Sequence, residues 1–282
     1  MTDIGRARAG GWPLAAVRVR GWLAHHRRPP LPSAARMRRF EHRHVAAGLA
    51  MLAIVLVAVL VLLDAAAVID ARALPAAVQR FFNVITDYGK SGWFLWPLGV
   101  FLAVAVACAG RFSDRMGLLV ASLATRAMFL FMAIALPGIA VNILKGIIGR
   151  ARPFVGGAAD PYLFKPWTWG HAYGSFPSGH ATAAASVAVA FGALWPRLRP
   201  VLWAYVLAIL VSRVVVTAHH PSDVLAGVAF GAAGAWLVRR FYAARGLGFA
   251  IGTDGRIYPM AGPSWTRIRA RIKRVAAGRS AQ

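Results

Sequence analysis

Residues 51–63 read MLAIVLVAVLVLL, at the centre of an apolar stretch running from about 45 to 69. No other feature narrows the possible folds as much. A helix needs about 20 apolar residues to cross the hydrocarbon of a bilayer. In lipid its backbone polar groups must be satisfied within the segment itself. Five more such stretches follow at about 93–110, 127–147, 178–195, 201–217 and 222–241. The expectation is an all-α, polytopic membrane bundle of six transmembrane helices. Composition agrees: 59% of residues are hydrophobic and 15% are charged, against about 25% charged in soluble domains. Pro137-Gly138 falls inside the third span, where a membrane helix tolerates a kink. Residues 70–92 and 148–177 are expected to be connections, and 111–126 a short basic connection with a helical apolar stripe.

Charge orients the bundle. The formal net charge is +24, which on a soluble chain would suggest nucleic acid. Here ten Arg precede Val45, and ten Lys or Arg fall at or beyond Arg239. Basic ends flanking apolar spans fit anionic membrane lipids as partners, not nucleic acid. The expected organisation is a basic cytoplasmic tail at 1–44, a membrane domain at 45–241 and a second basic tail at 242–282. With the N-terminus inside, 25 of the 33 Lys and Arg lie on inner segments and 8 on outer ones. Both termini are therefore expected in the cytoplasm. The first segment is too long and too basic for a signal-peptide start. The single cysteine, Cys108, allows no intrachain disulfide.

Three polar clusters interrupt the apolar background. They are Lys145 with Arg152-Pro153, Pro177-Ser178-Gly179-His180, and Ser212-Arg213 with His219 and Asp223. In the six-span topology all three fall on the outer face. Lys145, Arg152 and Arg213 supply the charge needed to grip phosphate oxygens, Arg by a planar fork and Lys as a point charge. Arg213 stands on an apolar span, where an ionisable group is functional by default. Ser178 reads as the N-cap of span four. Gly179 would let a ligand approach the first N–H groups, which form a ready anion site. Pro221-Ser222 marks a helix start, with Asp223 in its first turn and His219 just ahead of it. Asp223 can hold one imidazole nitrogen of His219 and present the other as a nucleophile. His220 finds no partner by spacing and reads as an interfacial histidine. Gly227 and Gly231 give span six a small face for close packing, which would bring His180 toward His219.

Other phosphoryl chemistries fail on inventory. No Gly-rich loop ends in Gly-Lys-Ser/Thr. Cys108 lacks the Arg six positions on that a cysteine phosphatase loop would need. The outer carboxylates Asp70, Asp87, Asp160 and Asp223 are too scattered for a two-metal site. No metal or cofactor is expected.

The ordered set Lys145–Arg152-Pro153, Pro177-Ser178-Gly179-His180 and Ser212-Arg213–His219–Asp223 resembles the three-part signature of the type 2 phosphatidic acid phosphatase superfamily. Every position is filled, in order. The signature spans residues 145–223, and the six-span layout extends the likeness to about 45–241. The resemblance implies that His219 attacks phosphorus and becomes a phosphohistidine. Asp223 would orient and charge-support it. His180 would protonate the leaving lipid oxygen and then activate water. Lys145, Arg152, Ser178, Gly179 and Arg213 would bind the phosphate. The implied protein is a phosphatase of the cytoplasmic (inner) membrane, acting on a lipid phosphate or diphosphate at the periplasmic or extracellular side. Two alternatives stay open at this point: a lipid phosphotransferase using the same intermediate, and a non-catalytic lipid-phosphate binder or transporter. Asp87 to Trp93 reads as a turn with an interface anchor or a headgroup contact. The aromatic loop 154–176 reads as an interface belt or an entry rim for lipid.

Overall fold

The computed structural model describes residues 11–37, 42–111 and 114–262. Among these, helices α1 (Gly11–Arg27), α2 (His42–Leu62), α3 (Asp64–Ala73), α4 (Ala76–Asp87), α5 (Gly92–Ala107), α6 (Asp114–Ile148), α7 (Gly179–Leu194), α8 (Arg199–Val215) and α9 (Pro221–Ala244) precede a hairpin of β1 (Phe249–Ile251) and β2 (Ile257–Pro259). Five segments are long and apolar enough to cross a membrane: His42–Leu62, Ala76–Ala107, Met116–Ile148, Pro196–Val215 and Pro221–Ala244. The chain is a helical, multi-pass membrane protein.

The sixth expected span is α7, with 16 residues. At 1.5 Å per residue it measures about 24 Å, less than the roughly 30 Å of hydrocarbon. Its sequence explains how it tolerates that length. Ala181, Ala183, Ala184, Ala185, Ala188 and Ala190 are all buried, so its neighbours, not lipid, form its surroundings. Helix α2 is the opposite case: it is apolar on every side and buries no residue. It also ends earlier than expected. Leu63 leaves helical geometry at φ −122° and ψ −30°, and Asp64 opens α3. Residues 70–92, expected as a mixed connection, are mostly the helices α3 and α4. The helical stripe expected within the basic connection 111–126 is part of α6, which runs unbroken from Asp114 into the third span. Its polar groups find acceptors: Arg126 Nη1 donates to the carbonyl (3.0 Å) and Oγ (2.6 Å) of Ser122, one turn earlier, and Nη2 to the Met260 carbonyl (3.2 Å). Pro137 stays inside α6, and Gly234 leaves room for its ring, since a Cβ there would stand 2.5 Å from Pro137 Cγ.

The chain forms two compact units, one from residues 38–97 and 130–239, the other from 1–37, 98–129 and 240–282. The first has its core between α7 and α8, where Ala184, Ala188, Val206 and Ile209 are buried against Ile85 and Val228. In the second, the described parts of the two terminal segments carry regular structure. On α1 the Trp22 indole donates to Thr125 Oγ1 (3.1 Å) and Arg18 to the Ala109 carbonyl (2.9 Å). Phe129 packs edge-on against Tyr242 and Phe249, with centroids 5.4 and 4.9 Å away. The basic composition of both ends conceals these aromatic contacts.

Candidate active site

Helices α7 and α9 begin side by side. The Ser178 N–H donates to the Asp223 carbonyl (2.9 Å). Glycine permits the approach. A Cβ on Gly227 would lie 2.5 Å from the Ser178 carbonyl oxygen, and one on Gly231 would collide with the Thr182 carbonyl. The second and third clusters thus meet at one place. Ser178 occupies the N-cap position, but its side chain makes no capping bond; Thr182 Oγ1 donates back to the Ser178 carbonyl instead (2.8 Å). Ser178 Oγ is buried and unpartnered among the described residues. Such a hydroxyl, beside the N–H groups of a helix start, is placed to meet an anion.

Asp223 is fully buried and crowded with donors. Its Oδ1 accepts from Arg150 Nη1 (2.5 Å). Its Oδ2 accepts from Ser175 Oγ (2.6 Å) and the His220 N–H (2.9 Å). His219 Nδ1 lies 3.7 Å from Oδ2, and 3.5 Å from the Ser175 hydroxyl. The expected Asp223–His219 pair is therefore a close approach of Nδ1 to the carboxylate, longer than a hydrogen bond, with Ser175 beside both partners. Unbound catalytic hydrogen bonds are often this long. With Nδ1 facing the carboxylate, Nε2 is the nitrogen left for chemistry. Burial holds the His219 imidazole down to about 3 against the raising pull of Asp223, so the ring is neutral and carries a free lone pair. The expectation for His220 is corrected: it is buried, and its Nδ1 lies 3.4 Å from Asp223 Oδ2.

The cations come from three directions. Lys145 ends α6, with Nζ 3.7 Å from where a Gly179 Cβ would stand. Gly149 then turns the chain at φ +61°, where a Cβ would strike the Lys165 carbonyl. Beyond that turn, Arg152 donates from Nε to the His171 carbonyl (3.0 Å) and from Nη1 to the Ala218 carbonyl (3.4 Å). Burial lowers the Arg152 pKa, and Asp223 opposes the shift. Arg152 in turn lowers that of His171. Arg213 is 6% exposed, donates to Thr86 Oγ1 (2.7 Å) and accepts the N–H of Ala218 and His219 at its carbonyl. Its Nε has no partner among the described residues. His180 is half-buried, within electrostatic range of Lys145, Arg152 and Arg213. Its ring covers Gly89, where a Cβ would be 3.0 Å from His180 Cδ2. The stretch around Gly89 is a turn: Asp87 pairs with Lys90 (2.7 Å), and the Trp93 indole donates to the Asp87 carbonyl (3.0 Å). A cavity of 550 Å³ opens beside Lys145 and Arg152, with Asn142, Trp169 and His171 in its wall. Of the eight sequence-expected residues, Lys145 and Arg152 line this cavity, and the other six stand at the starts of α7 and α9 and the end of α8. Among the described residues, no three His, Cys, Asp or Glu group as metal ligands.

Sequence reading misses a set of residues behind the site. Arg150 is 2% exposed. Besides Asp223 it reaches Ser222 Oγ (2.8 Å), Asp64 Oδ2 (2.8 Å) and, through Nε, the Pro161 carbonyl (3.0 Å). Asp64 accepts the N–H and Oγ of Ser222 (2.9 and 2.5 Å). The Arg150 carbonyl accepts the Ser175 N–H (3.0 Å), which fixes Ser175 beside Asp223. One signal was present in the sequence: Asp64 is a carboxylate in an apolar run, where charge is costly.

A family model described as the PAP2 superfamily matches residues 126–247. The chain is 34% identical over 200 residues to a protein of Rhizobium johnstonii called lipid A 1-phosphatase, over 68% of this chain and 79% of that one. A lipid A 1-phosphatase of Rhizobium etli is also 34% identical over 200 residues, over 68% and 83%. Among solved structures, a transmembrane PAP2-type phosphatidylglycerolphosphate phosphatase from Bacillus subtilis superposes with a TM-score of 0.44 at 19% identity, over 80% of this chain and 94% of that one.

Proposed function

Because this chain belongs to the PAP2 superfamily, we propose that it is an inner-membrane hydrolase that removes a phosphate from a lipid at the outer face, through a phosphohistidine. The observation that carries this reading is the convergence of Lys145, Arg152 and Arg213 on the starts of α7 and α9, beside the neutral His219 and its carboxylate. Pure binding would need the cations but not that histidine and carboxylate. In this reading α7 completes six spans, residues 45–241 carry the phosphatase, and the basic segments 1–44 and 242–282 lie against anionic lipid on the cytoplasmic side.

The reaction follows from the placement of groups. The cations, the Ser178 hydroxyl and the N–H groups at Gly179 hold the phosphoryl oxygens, and the charge they neutralise is the main barrier to attack. His219 Nε2 gives its lone pair to phosphorus. The bond from phosphorus to the lipid oxygen breaks, and its electron pair leaves with that oxygen. His180 supplies the proton. In the second step His180 takes a proton from water, the water oxygen bonds to phosphorus, and the N–P bond breaks to restore His219. Acid and base assistance of this kind is worth about 100- to 10,000-fold.

The relatives, both called lipid A 1-phosphatase, favour the 1-phosphate of lipid A as the substrate. The test is phosphate release by the purified chain from lipid A, phosphatidic acid, phosphatidylglycerol phosphate and an isoprenyl diphosphate. A value of kcat/KM highest for lipid A is the expected result. No release from any of them would refute the hydrolase reading, and transfer of the phosphate to an added lipid acceptor would replace it with a phosphotransferase.

A further inference from the structure

Behind His219 lies a closed set of charges. Arg150 is held between two carboxylates, Asp223 at 2.5 Å and Asp64 at 2.8 Å, and all three side chains are at most 2% exposed. Water does not reach them, so their charges are felt at short range with little screening. A single Arg–Asp223 pair would be neutral. With Asp64 present the set carries one net negative charge. We propose that Asp64 and Arg150 are positioning residues that keep the charge behind His219 at minus one, matched to the positive ring that forms when His219 takes the phosphoryl group.

The chemistry supplies the need. In this reading the imidazole is neutral before attack and carries its proton on Nδ1, the nitrogen that faces Asp223 and Ser175. When Nε2 bonds to phosphorus, Nδ1 keeps its proton and the ring becomes a cation. If Arg150 cancelled Asp223, that cation would face no net opposing charge. Asp64 draws on the same guanidinium from its other side, through Nη2, while Asp223 takes Nη1. Ser222 joins the two ends: its hydroxyl accepts from Arg150 and donates to Asp64, and its N–H also goes to Asp64. Arg150 therefore fixes Oδ1 of Asp223 and leaves Oδ2 for Ser175, His220 and His219. A buried ion set is a poor source of stability, and charge supply is a role that its cost can serve. The other charged groups acting on His219 are two cations, Arg213 of α8 and Arg152 of the loop; His220, from its own segment, shares Asp223 with it. Both cations disfavour a positive ring, which makes the negative charge behind it more necessary.

The inference rests on the phosphohistidine reading, and the test separates the two. Nitrophenol release from p-nitrophenyl phosphate is followed by rapid mixing, in wild type and in Asp64→Asn, Arg150→Gln and the double variant, each checked for monodispersity in detergent. Wild type should give a burst near one equivalent, with an acid-labile phosphoryl label on the protein. No label in wild type removes the intermediate, and the inference with it. Given the label, Asp64→Asn leaves the set neutral and should slow the burst by roughly ten- to a hundredfold. The double variant restores the net charge of minus one and should recover about tenfold of that loss. Arg150→Gln leaves a charge of minus two, which favours a proton on His219, so the acid limb of its burst rate should move to higher pH; the double variant should move it back. A double variant slower than both single variants, with an unmoved acid limb, would mean that the pair only holds the fold, and the proposal would be wrong. If Asp64→Asn does not fold, Arg150→Gln and the double variant still differ by the Asp64 charge alone, and equal acid limbs in those two would overturn it as well.

Discussion

Substitution of Gly227 by Ala would place a methyl group 2.5 Å from the Ser178 carbonyl oxygen and 3.0 Å from Ala181 Cβ. A carbon and a carbonyl oxygen approach to about 3.3 Å at closest. Roughly 0.8 Å must therefore be found between α7 and α9. The first obstacle is backbone, so no side-chain rotation relieves it. Overpacking of this kind costs about 1–3 kcal/mol, partly offset by the roughly 1 kcal/mol that Ala gains over Gly within a helix. The protein should stay folded, with a modest loss of thermal stability. Activity should suffer far more. Ser178 and Asp223 are tied by one hydrogen bond across this contact (2.9 Å), so the shift parts the helix start proposed to hold phosphate from the carboxylate beside His219, the proposed nucleophile. A misplacement near 1 Å is worth about 100-fold in rate. We expect kcat for a lipid phosphate to fall roughly 30- to 100-fold, measured as phosphate release in detergent micelles beside a thermal unfolding curve. Gly138→Ala is the control. A Cβ at Gly138 meets nothing within 4 Å, and that variant should keep wild-type activity. Wild-type kcat in folded Gly227→Ala would refute the link between helix approach and catalysis.

His219→Ala should abolish turnover of every substrate, whereas His180→Ala should still release a burst of nitrophenol from p-nitrophenyl phosphate while turning over lipid phosphate about 100- to 10,000-fold more slowly; the reverse pattern would exchange the two roles. Vanadate, a five-coordinate mimic of the transition state, should inhibit, and activity should survive a chelator; loss that one divalent ion restores would overturn the histidine mechanism. With His219 held near 3 by burial, protonation should not silence it around pH 6.5. The burst rate in His180→Ala, corrected for the ionisation of the substrate, should stay flat from about pH 8 to about pH 5, and a midpoint near the ordinary histidine value would refute the neutral-nucleophile reading.

The three clusters were legible because each is local. Ser178 to His180, or His219 to Asp223, lie within one helical turn and carry their chemistry in their spacing. The apolar runs were legible because lipid demands length. The unread features depend on distance along the chain. Arg150 meets Asp64 and Asp223 across 86 and 73 residues, and Ser175 meets Asp223 across 48. Two residues from Arg152, Arg150 looks like one more surface cation; only the fold reveals two carboxylates waiting for it. His220 escapes for a different reason: its neighbour Asp223 is only three residues on, but the sequence already pairs that carboxylate with His219. The helical stripe of 111–126 is legible in the sequence, but its continuity with the third span in one helix, α6, is not, because Arg126 reads as a basic connection until its guanidinium is seen donating to Ser122, one turn back.

The separation of Asp64 from its partners also bears on how the chain is made. Synthesis proceeds at about 5–20 residues per second. Asp64 therefore leaves the ribosome about 4–17 s before Arg150, 86 residues later, and about 8–32 s before Ser222, 158 residues later. During that interval the first hydrophobic span can already be inserted while its carboxylate has no protein counter-ion. The position of Asp64 makes the delay tolerable: it comes directly after α2 ends at Leu62, not in the middle of the span. At such a boundary a carboxylate stays hydrated among lipid headgroups until the later helices arrive. Biogenesis must then include a stage in which α2 is threaded and α3 is not yet docked, ended by the dehydration of Asp64 as Arg150 closes over it.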